Sequence, residues 1–174
     1  GIYAWANGEV YDGEWKRGLK HGSGVWKGSK GDSYIGEWKG SKADGYGVHI
    51  WRNGDRYEGE WQECLKHGKG TDTFANGDKY VGQYHLGKPH GYGEYFWKIG
   101  STYKGEFKEG LKHGKGRWSK YNGNEYDGEY QNDKKYGHGT FKWASGNKYE
   151  GYYVDDERNG HGRMTWTDGS VYDG

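Results

Sequence analysis

One pair of residues, Tyr-x-Gly, returns every 23 positions from one end of this chain to the other. It falls at Tyr11, Tyr34, Tyr57, Tyr80, Tyr103, Tyr126, Tyr149 and Tyr172. In the same frame Gly-x-Gly begins at Gly22, Gly45, Gly68, Gly91, Gly114, Gly137 and Gly160, and a further glycine stands at Gly8, Gly31, Gly54, Gly77, Gly100, Gly123, Gly146 and Gly169. No insertion or deletion disturbs the register. A period this strict means that one supersecondary unit, and its contact with the next copy, decides the whole fold.

Glycine is abundant (36 residues) and proline nearly absent (1). Glycines locked to frame positions serve backbone geometry or close approach, whereas a flexible linker scatters them. The apolar fraction is 30%, well below the roughly 45–50% of ordinary globular chains, so a conventional two-layer core is not expected. Most of that apolar material is aromatic, with 10 Trp and 18 Tyr, which argues against disorder.

The third repeat shows the local structure. From Gly45 to Trp51, Val48 and Ile50 alternate with Gly45, Gly47, His49 and Trp51, and from Tyr57 to Trp61 the sequence alternates as Tyr, Gly, Trp. Both segments read as strands, and Asn53-Gly54 between them reads as a hairpin turn. A three-residue Asn-Gly-Asp loop would pair Arg52 with Arg56, Trp51 with Tyr57, His49 with Gly59 and Gly47 with Trp61, laying rings over glycines. A two-residue turn would pair Gly47 with Glu60 and lose that fit. The expected fold is all-β: an elongated, single-layer antiparallel meander of 23-residue hairpins running through residues 1–174 as one array. At roughly 10 Å per repeat it would span about 65 to 70 Å. Because the chain starts and stops within a repeat, it reads as part of a longer protein.

Tyr57-Glu58-Gly59-Glu60-Trp61 with Leu65-Lys66-His67-Gly68-Lys69-Gly70 closely resembles the MORN repeat. So does Tyr103-Lys104-Gly105-Glu106-Phe107 with Leu111-Lys112-His113-Gly114-Lys115-Gly116. The resemblance covers essentially the whole chain. It departs where Asp44, Tyr136 and Asn159 replace the His that precedes Gly-x-Gly, which undermines any function needing an unbroken histidine row. The resemblance implies a twisted hairpin array of the kind used in eukaryotic cytoskeletal, ciliary and membrane-contact proteins, and as an accessory module of some lipid kinases and methyltransferases.

Charge excludes several classes. The 26 basic and 25 acidic residues are interspersed, so no basic footprint for nucleic acid is present, and no polybasic run or long apolar stretch marks a membrane-binding or membrane-spanning segment. Cys64 is the only cysteine and no Asn-x-Ser/Thr acceptor occurs, which fits a cytoplasmic protein, with a cytoskeletal or ciliary setting as the finer expectation. Repeated His21, His67, His90 and His113 would lie roughly 10 Å apart, too far to share one metal ion. Cys64 lies three residues from His67, but that His recurs without a Cys elsewhere. Glu14, Glu37, Glu60, Glu106 and Glu129 read as a solvated ladder, and Lys66 and Lys112 as exposed rim charges. Gly-x-Gly lacks the following helix that a dinucleotide loop needs. No catalytic, cofactor-binding or metal residues are expected.

Two aromatic rows remain. One is Trp51, Phe74, Trp97, Trp143 and Trp166; the other runs through Trp15, Trp38, Trp61, Tyr84, Phe107 and Tyr130 to Tyr153. A single-layer sheet has nothing of its own to cover an entire aromatic face, so these rows are the expected partner-binding residues of a scaffold or docking module. Its partners would be proteins, a second copy of the chain among them, with peripheral membrane contact as a further reading. The alternatives are a regulatory module of a larger enzyme, such as a phosphatidylinositol phosphate kinase or SET-type methyltransferase, and a carbohydrate- or choline-binding array like the Trp- and Gly-rich bacterial wall-binding repeats, whose pattern differs from the fixed Tyr-x-Gly-Glu-Trp seen here. The strict period predicts a far-ultraviolet dichroism spectrum of β type and a small-angle scattering radius larger than that of a compact sphere of this mass. A helical spectrum or a spherical radius would overturn the fold expectation.

Overall fold

The computed structural model describes residues 1–174 as sixteen strands and no helix, with strand order following chain order. Contacts divide the chain into two compact units, Gly1–Lys88 and Pro89–Gly174. The first contains β1 (Ile2–Ala4), β2 (Val10–Lys16), β3 (Leu19–Lys27), β4 (Ser33–Lys39), β5 (Lys42–Ile50), β6 (Arg56–Gln62), β7 (Leu65–Thr73) and β8 (Lys79–His85). The second contains nearly all of β9 (Lys88–Phe96), then β10 (Thr102–Lys108), β11 (Leu111–Ser119), β12 (Glu125–Gln131), β13 (Lys134–Lys142), β14 (Lys148–Val154), β15 (Glu157–Thr165) and β16 (Val171–Asp173). Within each unit consecutive strands pair antiparallel, so each is a meander of hairpins.

The tight turns are not where Asn-Gly suggested. Gln62 pairs with Leu65, so Glu63 and Cys64 form a two-residue connection with φ of 47° and 68°. Positive φ at both central residues is the requirement of a type I′ turn, whose twist suits a hairpin. The same pair of left-handed residues recurs at Arg17-Gly18, Leu86-Gly87, Glu109-Gly110, Asn132-Asp133 and Asp155-Asp156. Asn53-Gly54 lies instead in a five-residue loop, because Ile50 pairs with Arg56. There the Trp51 N–H donates to the Asp55 carbonyl (2.9 Å) and the Gly54 N–H to the Trp51 carbonyl (2.9 Å), while the Asn53 side chain accepts from the Asp55 N–H (2.9 Å). These bonds make the longer loop self-sufficient and overturn both registers considered from sequence.

The true register sets glycine against glycine. Gly13, Gly24, Gly36, Gly47, Gly59, Gly70 and Gly82 pair in succession across the first unit. In the second, Gly93, Gly105, Gly116, Gly128, Gly139, Gly151 and Gly162 do the same. Ring-over-glycine packing is real, but between other partners than expected: Tyr34 lies over Gly47, where a Cβ would come within 2.1 Å of its hydroxyl, and Tyr57 over Gly70 at 2.2 Å. The backbones also crowd one another, since a Cβ on Gly36 would meet the Gly47 Cα at 2.4 Å.

These tyrosines are the core. Tyr11, Tyr34, Tyr57, Tyr80, Tyr103 and Tyr126 are each at most 2% exposed. Their hydroxyls, and that of Tyr149, donate to the carbonyl three residues ahead at 2.8 to 3.2 Å, so burial leaves none of these phenols unsatisfied. Tyr11, Tyr34, Tyr57, Tyr103 and Tyr126 each also meet two aromatic edges. Tyr34 packs T-shaped on Trp38 of its own strand (4.9 Å) and on Trp61 of the next repeat (5.6 Å). In the second unit Tyr103 does so on Phe107 (5.1 Å) and Tyr130 (5.3 Å).

Burial, with nearby carboxylates, raises the phenol pKa of Tyr34, Tyr57, Tyr80, Tyr103 and Tyr126 above the ordinary 10.0, and burial, with the neighbouring Tyr149 phenol, raises that of Tyr153 to about 12. An acid whose folded pKa exceeds its unfolded value stabilises fully below pH 10 and loses that contribution as pH rises towards the folded value. Urea midpoints should therefore be level between pH 7 and 9 and drop steeply by pH 11; a flat profile to pH 11 would contradict the tyrosine core. Gly47→Ala should destabilise by roughly 1 to 3 kcal/mol through overpacking. Gly110→Asn, where a Cβ meets nothing within 4 Å and the homologous Asp133 already has φ 70°, should change stability by about 0.5 kcal/mol or less.

Candidate docking face

Because strand side chains alternate in direction, the two faces of each meander differ completely. Tyr57, Gly59 and Trp61 point to one face with His49, Gly47 and Gly45; Arg56, Glu58 and Glu60 point to the other with Ile50, Val48 and Tyr46. The second face is the polar one, with Ile35, Tyr46, Tyr92 and Tyr152 exposed among its charges. It carries ion pairs Arg56–Glu58 (3.0 Å) and Arg117–Glu125 (3.1 Å), with Lys148 paired to Glu150, and the Tyr46 hydroxyl donates to Glu58 (2.8 Å). Exposed pairs of this kind confer solubility more than stability.

On the aromatic face the two expected rows separate. Trp38, Trp61, Tyr84, Phe107, Tyr130 and Tyr153 are 4 to 8% exposed and complete the core against the tyrosines, so they present little area to a partner. Trp15, at the start of the array, is 37% exposed. The other row stands at the first position of each five-residue loop. Trp51, Phe74, Trp97 and Trp143 are half-buried, and Trp166 is 38% exposed. Three of the rings lean on a ring of the preceding strand: His49 stacks on Trp51 (4.3 Å), Tyr95 tilts against Trp97 (4.6 Å) and Phe141 against Trp143 (4.7 Å). The remaining surface of the row faces solvent along the rim of the aromatic face.

Between the rows sits a feature that sequence reasoning missed. Lys66 and Lys112 are not rim charges. The Lys66 ammonium lies over Trp51 (4.9 Å), Tyr57 (5.2 Å) and Tyr84 (5.8 Å), and that of Lys112 over Trp97, Tyr103 and Tyr130 (5.9, 5.6 and 5.2 Å). Lys20 is held by Trp5, Tyr11 and Trp38, Lys135 by Trp118, Tyr126 and Phe141, and Arg158 lies over Tyr149. These separations are within the roughly 6 Å over which a ring's negative face attracts a cation. Burial lowers the Lys112 pKa below the ordinary 10.5. The recurrence of a cation after the tight turn was visible in sequence, but its inward direction was not.

One repeat alters the pattern: Asp72 stands where others carry Trp26, His49, Tyr95, Trp118 or Phe141. It is 3% exposed, accepts both bonds of the Lys66 ammonium (2.9 Å each) and accepts from the Tyr84 hydroxyl. Burial first, and then the Asp72 carboxylate, pushes the Tyr84 phenol far up. With Asp32, Asp55, Trp51 and Phe74, this pair borders a cavity of about 460 Å³.

The glutamates are not a solvated ladder. Glu14, Glu60, Glu106 and Glu129 accept from the backbone N–H of Ser23 (2.5 Å), Lys69 (2.6 Å), Lys115 (2.7 Å) and His138 (2.8 Å), and Glu37 accepts from that of Tyr46. Each thus holds the residue after a left-handed glycine, where the ladder is bulged. His90 accepts from the Glu109 N–H (3.3 Å), while His67 and His113 each bury Nδ1 without a hydrogen-bond partner. No three His, Cys, Asp or Glu side chains converge as a metal cluster, and Cys64 is exposed within its type I′ turn.

Comparison with known proteins agrees with this architecture. The MORN repeat matches in seven consecutive copies, at residues 11–33, 34–56, 57–79, 80–102, 103–125, 126–148 and 149–171. No curated protein matches the chain. Among solved structures, the Drosophila melanogaster SAS-4 TCP domain, in complex with a proline-rich motif of Ana2, is similar at 12% identity and a TM-score of 0.54, covering 99% of this chain and 87% of that one. The CPAP G-box domain is similar at 9% identity and a TM-score of 0.51, covering 99% and 96%. At such identities the likeness is one of fold. With all seven repeats matched across residues 11–171, the chain belongs to the MORN repeat family.

Proposed function

We propose that this array is a non-enzymatic docking module that binds protein partners along the rim of its aromatic face. The observation that carries the reading is the loop row Trp51, Phe74, Trp97, Trp143 and Trp166: large, partly open rings, with Trp51, Trp97 and Trp143 each held on one side by a neighbouring ring, on a face that no second layer covers. Preorganised aromatics of this kind bind at low entropic cost and dominate interfaces. The buried row, Trp38 to Tyr153, acts indirectly by holding the face rigid, so the partner-contacting role assigned to it from sequence narrows to the loop row and Trp15. That a sheet of similar fold in SAS-4 is found with a proline-rich motif supports an extended peptide as the bound form. A centriolar or other cytoskeletal setting, ciliary structures included, is the finer part of the proposal, supported by the SAS-4 and CPAP likeness, the latter domain having a suggested role in centriole elongation.

The test is to isolate bound proteins from the native source, identify one, and measure its affinity for variants. Trp97→Ala with Trp143→Ala should weaken binding by more than about 2 kcal/mol, roughly thirtyfold, if both are anchors. Charge reversal at Lys104 and Asp127, on the polar face, should change affinity by less than about 0.5 kcal/mol. Thermal melts must show both variants folded. A folded double tryptophan variant with full affinity, alongside charge reversals that abolish binding, would move recognition to the polar face.

A further inference from the structure

The caged cation occupies one position of the repeat, filled by Lys20, Lys66, Lys112, Lys135 and Arg158; Ala43 and Pro89 stand at that position in the other two repeats. Ala43 pairs with Trp38 as Lys66 pairs with Trp61, and is 7% exposed, so its methyl points to the same face. The rings around it are those around Lys135, displaced by four repeats: Trp26, Tyr34 and His49 correspond to Trp118, Tyr126 and Phe141. The geometry corresponds too. Trp118 and Phe141 are 6.4 Å apart at 40°, and Trp26 and His49 are 6.2 Å apart at 44°. Around Lys135 the three rings hold an ammonium at 5.5 to 5.8 Å. Beside Ala43 there is instead a cavity of about 430 Å³, closed further by Trp38, Trp51 and Trp61.

That cavity is short of a hydrogen-bond donor as well as a cation. His49 Nε2 is buried there with no partner. Burial lowers the His49 pKa, so the ring is neutral near pH 7 and one of its nitrogens is an acceptor. The charged groups in the wall are Glu9 and Lys20, one of each sign, and the Lys20 ammonium is already engaged over Trp38 (5.3 Å). Asp32 and Lys66 act on His49 from farther away, again with opposite sign.

We propose that the Ala43 cage binds the ammonium of a lysine side chain from a partner polypeptide, which takes the place the array's own lysine holds in sibling repeats. Aromatic walls attract the charge, and an N–H of the incoming ammonium satisfies His49 Nε2. The proposal rests on the aromatic face being the docking face and names one side chain that it takes.

The probe is a capped Gly-Lys-Gly peptide titrated into the full chain, read from tryptophan indole N–H resonances, with the norleucine analogue as the uncharged control of similar shape. The expected result is saturable shifts at Trp26 and Trp61 with the lysine peptide and at least tenfold weaker binding of the norleucine peptide. Ala43→Lys should refill the cage, weaken the peptide more than tenfold, and melt no lower than the parent. Lys135→Ala should open a second cage and add a lysine-dependent shift at Trp118. Equal binding of norleucine, unchanged binding by a folded Ala43→Lys variant, or no saturable shift at Trp26 would overturn the proposal. If a partner depends on Trp97 and Trp143 but no lysine peptide reaches Trp26, the docking reading stands and the cage falls. If the peptide binds and no partner depends on the tryptophan row, the cage stands alone.

Discussion

A buried tyrosine ring lying over a cross-strand pair of glycines is the contact on which each repeat depends. A phenol can approach a sheet this closely only where the strands beneath carry no side chains, and the 2.1 to 2.5 Å that separate an added Cβ from the hydroxyl of Tyr34, Tyr57, Tyr103 or Tyr149 show how little room is left. The hydroxyl bonds the carbonyl three residues on, and the ring presents its faces and edges to the aromatics on either side. Glycine rows would ordinarily weaken strands through lost packing and backbone entropy. Here they let one layer of rings seat so deeply that a single-layer sheet acquires a core.

The other features follow from that arrangement. A single layer of rings leaves their outer faces exposed to water, and Lys20, Lys66, Lys112 and Lys135, each following a tight turn, fold back over them, the stem covering apolar surface while the ammonium sits on the ring faces. The glutamate of Tyr-x-Gly-Glu closes the bulge needed to turn the strand past a left-handed glycine. What these devices leave uncovered is the loop row and, at Ala43, one cage without its lysine. On the proposed docking reading, the surface offered to a partner is the part of the aromatic face that the repeat does not cover by itself.

Much of this was legible in the sequence, and the limits have physical causes. The period followed from Tyr-x-Gly and Gly-x-Gly, the β class and the hairpin unit from the alternation on either side of Asn53-Gly54, and the family from motifs such as Tyr57–Trp61 with Leu65–Gly70. The register did not, because Asn53-Gly54 carries the usual hairpin signature while the actual tight turn, Glu63-Cys64, places non-glycine residues at positive φ where the neighbouring strands force them. Burial of Trp38 and Trp61, as against half-exposure of Trp51, depends on that register and could not be separated beforehand. Lys66 was read as a rim charge from its charge and its place beside the turn; it pairs with Trp61 and shares the face of Gly68, Gly70 and Asp72. Asp72 was detectable only as a break in an aromatic column.

The central claim is that the tyrosine and the glycine of adjacent strands are one interaction, and a double-mutant cycle between Tyr34 and Gly47 measures it directly. Each change alone, Tyr34→Ala and Gly47→Ala, should lower the urea midpoint. If the ring is what excludes the added methyl, Gly47→Ala should cost little once Tyr34 is alanine, giving a coupling of about 1 to 3 kcal/mol. Additive effects, with no coupling between the two sites, would contradict the account.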